Sequence, residues 1–171
     1  MPELLKANIE IVCDQSESLT ASLTSVQHLS LCSKISNIPY RADSFFFSLQ
    51  HLKLCTCSDE WWNLLYLILK DAPRLRLLKL NSIHCAHYSD PMDRWSQPSF
   101  VPECLSSHLE ILEWRQYKGT KPDKQVAEYI LANAGRLKMA TFSSKSTEKH
   151  LMFNKLEYVL LCSKACQLLF D

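Results

Sequence analysis

An α/β solenoid on a parallel β-sheet is the fold class this sequence predicts, and three observations predict it. Apolar residues recur with gaps of three and then two, as at Leu49, Leu52 and Leu54 in "SLQHLKLCTC". That spacing matches neither a plain helical stripe nor strand alternation. It returns along the chain, at Leu4, Ala7, Ile9; Val26, Leu29, Leu31; Leu75, Leu78, Leu80; Leu109, Leu112, Trp114; Leu137, Ala140, Phe142; and Leu156, Val159, Leu161. Finally, the longer segments between copies carry helical start and stop signals.

Counted from the first apolar position, the steps between copies are 22, 23, 26, 34, 28 and 19 residues. Most lie near the period of roughly 20 to 29 residues typical of leucine-rich repeats. In such a repeat the second and third apolar residues point inward from a short strand, and the first closes the turn before it. No copy can bury its apolar face alone, so neighbours stack into a horseshoe with a parallel sheet and helices on the convex side. Each buried leucine then contributes about 1.5–3 kcal/mol.

The connections follow in order. "SDEWWNLLYLILKDAP" has a capping Ser58 or Asp59, an early acid at Glu60, apolar residues at 61, 64, 65, 68 and 69, and a stop at Pro73. Apolar nearly all round, this helix is expected to be buried, Trp61 and Trp62 being core. The 34-residue step holds "HYSDPMDRWSQPSFVPE", whose Pro91, Pro98 and Pro102 predict an irregular loop and a boundary near Gln97. "KPDKQVAEYILANAG" predicts a helix with Pro122 in its first turn, the stripe Val126, Ile130, Ala134, and a Gly135 cap, ending within a residue of that glycine.

Composition narrows the functional classes. Nineteen basic against eighteen acidic residues leave a net charge of +1 over 171 residues, without a global field to gather nucleic acid or an anionic membrane. No apolar run approaches the roughly 20 residues of a membrane span, and the start lacks a signal peptide's pattern. Two glycines in the whole chain exclude glycine-rich phosphate loops. Eight cysteines without a secretion signal are expected as free thiols of an intracellular protein, in cytoplasm or nucleus.

Several chemistry-bearing groups were weighed. His28 and His51, with Cys32 and Cys55 at equivalent places, match no zinc spacing. His84, Cys85 and His87 read as a solvated loop. A Cys/His-dependent enzyme would need an orienting acid and an oxyanion hole that nothing here supplies. Arg115, Lys118, Lys121 and Lys124 make a mildly basic edge that Glu113 and Asp123 interrupt. No cofactor, metal or catalytic residue is expected.

Residues between the inward positions should line the concave face in rows across repeats. One row reads Asn8, Ser30, Lys53, Lys79, Glu113, Thr141, Leu160, with Lys79 and Glu113 as neighbours of opposite sign. The row before it reads Lys6, His28, His51, Leu77, Ile111, Met139, Tyr158, apolar in its later half. The expected partner-binding face is Lys53, Lys79 and Glu113 with the stripe Leu77, Ile111, Met139 and Tyr158. The alternative is that a loop or the C-terminal tail covers the stripe.

From "VPECL" (101–105) onward the chain resembles a known family. "SSHLE" (106–110), Trp114, "YKG" (117–119), "NA" (133–134), "LKM" (137–139) and the closing "ACQLLFD" are similar, in that order, to the FBD domain of plant F-box proteins. Residues 1–97 resemble the leucine-rich repeats that precede it, and 98–171 the FBD domain continuing the stack. The resemblance implies the substrate-recognition region of a cullin-based ubiquitin ligase, whose partner is a protein substrate. No F-box is recognisable, since "MPELL" is followed by the strand-like "KANIEIVCD"; ligase subunits are expected only where an F-box is supplied elsewhere. A free-standing repeat protein competing for a relative's partner is the other binding reading.

Overall fold

The computed structural model describes residues 6–11, 25–33, 46–56, 61–82, 96–147, 149–157 and 161–171. Its frame is β1 (Lys6–Ile11), β2 (His28–Ser33), β3 (His51–Cys55), α1 (Trp61–Asp71), β4 (Leu77–Asn81), α2 (Glu103–Ser107), β5 (Ile111–Arg115), α3 (Lys121–Asn133), β6 (Met139–Phe142), α4 (Lys149–Glu157) and β7 (Gln167–Phe170). The seven strands form one sheet in sequence order, and every neighbouring pair is parallel. The fold is α/β, with helices in the connections after β3.

Register follows the leucine spacing. Leu29, Leu52, Leu78, Leu112 and Ala140 are Cα partners in one row, and Leu31, Leu54, Leu80, Trp114 and Phe142 in the next. Both rows are buried, together with the turn-closing Leu49, Leu75, Leu109 and Leu137. A one-residue slip in any strand would turn its aliphatic set to solvent, so burial fixes the pairing. One residue before each strand the ladder already starts: Arg76 N–H donates to Gln50 O at 2.8 Å, Glu110 N–H to Arg76 O at 2.8 Å and Lys138 N–H to Glu110 O at 2.7 Å.

The core lies between this inner face and the helices. Trp61, Trp62, Leu65, Ile68 and Leu69 of α1 are buried, but Leu67 is 36% exposed and Leu64 lies partly buried against the core. The expected all-round burial of α1 is therefore corrected, because a helix lying on a sheet has an outer side. The short α2 buries Cys104 and Leu105. An aromatic line of Trp61, Trp114, Tyr117, Phe142 and Phe170 runs across the core, with ring centroids 5.1–6.1 Å apart, separations at which such rings attract.

α3 shows how local chemistry sets boundaries. The Thr120 side chain accepts from Asp123 N–H at 3.3 Å, the Asp123 carboxylate accepts from Thr120 N–H at 3.4 Å, and Pro122 sits in the first turn. This reciprocal box satisfies two donors the helix start leaves over. The turn leading in needs left-handed backbone, with φ 55° at Gln116 and 65° at Gly119. Gly135 corrects an expectation: the helix ends at Asn133 and the cap is Ala134, and Gly135 is not among the positive-φ residues. A Cβ there would stand 3.2 Å from Ser106 O, so close approach to α2 is what calls for glycine.

The seventh copy is also corrected. Leu156 lies on α4 and is fully buried, at helical spacing from the buried Phe153. The last strand is "QLLF", Gln167–Phe170, with Met139 opposite Gln167. A gap-three pair suits a helix as well as a strand entry, which is why spacing alone misplaced it. The register restores a step of 28 residues, equal to that from Ile111 to Met139.

Candidate functional site

The outer face of the sheet carries the residues the inner rows leave over. Its middle row is Ser30, Lys53, Lys79, Glu113, Thr141 and Leu169 in register. Leu169, 43% exposed, replaces Leu160 of the sequence expectation, which lies outside the described residues. Lys53 is exposed, and Lys79 and Glu113 partly so. Lys79 Nζ lies 3.3 Å from Glu113 Oε2; the expected neighbours of opposite sign form an ion pair.

The preceding row is His28, His51, Leu77, Ile111, Met139 and Gln167. Leu77, Ile111 and Met139 are all half-buried, three apolar side chains side by side on the outer face. Gln167 holds the register position opposite Met139; Tyr158, expected there, lies outside the described residues. At the other end the rings of His28 and His51 meet edge to face, centroids 4.1 Å apart. In the row that follows the middle one, Cys55 and Asn81 are buried and Arg115 is exposed.

Beside the stripe runs a row of charge that sequence reasoning missed. Glu110 pairs with Arg76 through Oε1 at 3.0 Å and with Lys138 through Oε2 at 3.3 Å. The hydrogen bond from Arg76, and then that from Lys138, holds its carboxyl below the usual range. The signal was present once the leucines are aligned, in "RLR" (74–76), "HLE" (108–110) and "RLK" (136–138). A whole-chain charge of +1 concealed it.

Other candidates resolve differently. No cluster of three metal-ligating side chains occurs among the described residues. Cys104, Cys162 and Cys166 are free thiols; Cys104 donates to Leu69 O at 3.3 Å, and burial pushes its thiol up to about 12, the reverse of an activated nucleophile. Asp123 does not interrupt the basic edge, because it is buried in the α3 cap. Among the described residues no helix is long and apolar enough to cross a membrane.

Comparison with known proteins bears on the same segment. Residues 97–142 match the family model FBD. An FBD-associated F-box protein of Arabidopsis thaliana is 55% identical over 172 residues, covering 100% of this chain and 41% of the relative. Two F-box/FBD/LRR-repeat proteins of that plant are 47% and 42% identical, again over 100% of this chain and 39% and 41% of their own lengths. The chain thus spans about two fifths of the curated relatives it matches. No solved structure matches it. Trp114 at the centre of the core, Tyr117 beside it, and the capped helix ending "NA" all fall inside the matched segment: residues 97–142 are an FBD domain, and the whole chain is related to the F-box/FBD proteins.

Proposed function

We propose that this chain is a non-enzymatic protein-binding region, a leucine-rich-repeat stack capped by its FBD domain, and that the outer face of its sheet holds the partner. The carrying observation is the stripe Leu77, Ile111, Met139, half-exposed where an outward row is ordinarily polar. Contiguous apolar surface rimmed by charge marks interaction sites. Lys53 and the Lys79–Glu113 pair supply that rim. The relatives' names support a role as substrate-recognition region of an F-box ubiquitin-ligase adaptor within the cell, with ligase subunits joining where an F-box is present. The partner is then a protein marked for ubiquitylation.

The test replaces Leu77, Ile111 and Met139 together with serine. The altered chain should keep its circular dichroism and lose a partner that the wild type captures, together with that partner's ubiquitylation by a full-length relative. Undiminished capture by the serine chain would overturn the reading.

A further inference from the structure

A cleft of about 400 Å³ opens at the strand entrances, lined among others by Arg74, Arg76, His108, Glu110, Arg136 and Lys138. Four cations face one carboxylate there, whereas the whole chain carries only +1. The arrangement is repeat-built: Arg74, His108 and Arg136 each precede a turn-closing leucine, at Leu75, Leu109 and Leu137, and Arg76, Glu110 and Lys138 each follow one. Adjacent strands of a sheet lie about 4.8 Å apart, so the two arginines flank His108 within reach of one small group.

Within the cleft the charges divide into two sets. Both carboxylate oxygens of Glu110 are taken, one by Arg76 and one by Lys138. This fixes those two side chains and leaves Arg74 and Arg136 without an ion pair among the described residues. His108 Nδ1 is buried with no hydrogen-bond partner. Like charges held together are costly, and an anion between them relieves the repulsion.

We infer that the Arg74–His108–Arg136 cleft binds a phosphate group carried on the partner polypeptide. Two guanidinium forks suit the tetrahedral oxygens of a dianion. A carboxylate would leave excess positive charge. A compact cleft on a chain of net charge +1 does not suit nucleic acid, which needs an extended basic stripe. The stripe Leu77, Ile111, Met139 begins one residue beyond Arg76, Glu110 and Lys138, so a segment with its phosphate in the cleft can lay an apolar side chain on the stripe. The polypeptide as carrier rests on the protein-binding reading above; the oxyanion site does not.

The experiment uses the full chain and a fluorescent peptide of alanine and leucine around one phosphoserine, beside its unphosphorylated form and inorganic phosphate. The phosphopeptide should bind, inorganic phosphate should compete and shift the His108 ring resonances, and the unphosphorylated peptide should bind at least about tenfold more weakly, about 1.4 kcal/mol. Arg74→Ala with Arg136→Ala, both exposed, should produce the same loss with unchanged circular dichroism. Lys70→Ala with Lys145→Ala, which removes equal charge elsewhere, should not. Equal binding of both peptides, or equal loss in both double variants, overturns the site. Phosphate binding without phosphopeptide preference overturns the polypeptide carrier, and so does retention only on vesicles of phosphatidylcholine and phosphatidylserine. Phosphate binding that survives in the Leu77, Ile111, Met139 serine chain keeps the cleft even where the outer-face reading fails.

Discussion

Lys79 and Glu113 stand directly opposite each other across β4 and β5, with Nζ 3.3 Å from Oε2. Both side chains are more than a quarter exposed, so the pair contributes at most about 1 kcal/mol. Its position matters more than its strength, because it lies beside the apolar stripe and sets the sign of charge there.

Lys79→Glu should therefore leave the fold intact. Lys53, in register on the other side, offers the introduced carboxylate a partner, so the stability loss in urea denaturation is expected to stay within about 1 kcal/mol. Combining it with Glu113→Lys should recover most of that loss. Unfolding of the single variant would mean that this row faces inward.

Leu54 is 1% exposed and its chain neighbour Lys53 is exposed. Leu54→Ala should cost about 2–5 kcal/mol, and Lys53→Ala within about 0.5 kcal/mol. Leu54→Arg buries an unpaired charge and should abolish the cooperative unfolding transition. Comparable losses at both positions would contradict the alternation of the strand.

The two glycines should answer differently to the same substitutions. Gly119 has φ 65°, so Gly119→Ala should cost about 1–2 kcal/mol, and Gly119→Asn less, because asparagine tolerates that conformation. At Gly135 the obstacle is Ser106 O, 3.2 Å from an added Cβ. Gly135→Ala should cost on the order of 1 kcal/mol and Gly135→Asn no less. Rescue by asparagine at both positions would refute the steric account.

Asp123 predicts a pH dependence. Burial raises its carboxyl from 3.8 to about 6, against the hydrogen bonds from Thr120. The folded state thus holds the proton more tightly than the unfolded chain. Its contribution is complete below the unfolded value near pH 4 and is lost as pH rises through about 6, a change on the order of 3 kcal/mol. Asp123→Asn, which can still accept from Thr120 N–H, should flatten that slope and raise the melting temperature at pH 7. A slope that persists in the variant would place its origin elsewhere.

Legibility differed between elements for physical reasons. The inward rows from Leu29 to Phe142 were readable because each aliphatic must hide, and hiding fixes both strand and register. The Lys79–Glu113 pair followed from that register. The seventh strand was misread because Leu156 satisfies a helix face as readily as a strand entry. The Arg74–His108–Arg136 cleft was missed because whole-chain charge averages over a cluster assembled from three distant turns.

Sequence alone thus determined a parallel α/β stack, its buried rows and its FBD kinship, since periodic apolarity and ordered motifs are written along one dimension. Tertiary structure decided which strand ends the sheet, that Asp123 is a buried cap rather than a surface acid, and which charges share a cleft. Those outcomes depend on competition among distant segments for the same space, and no local pattern records who wins it.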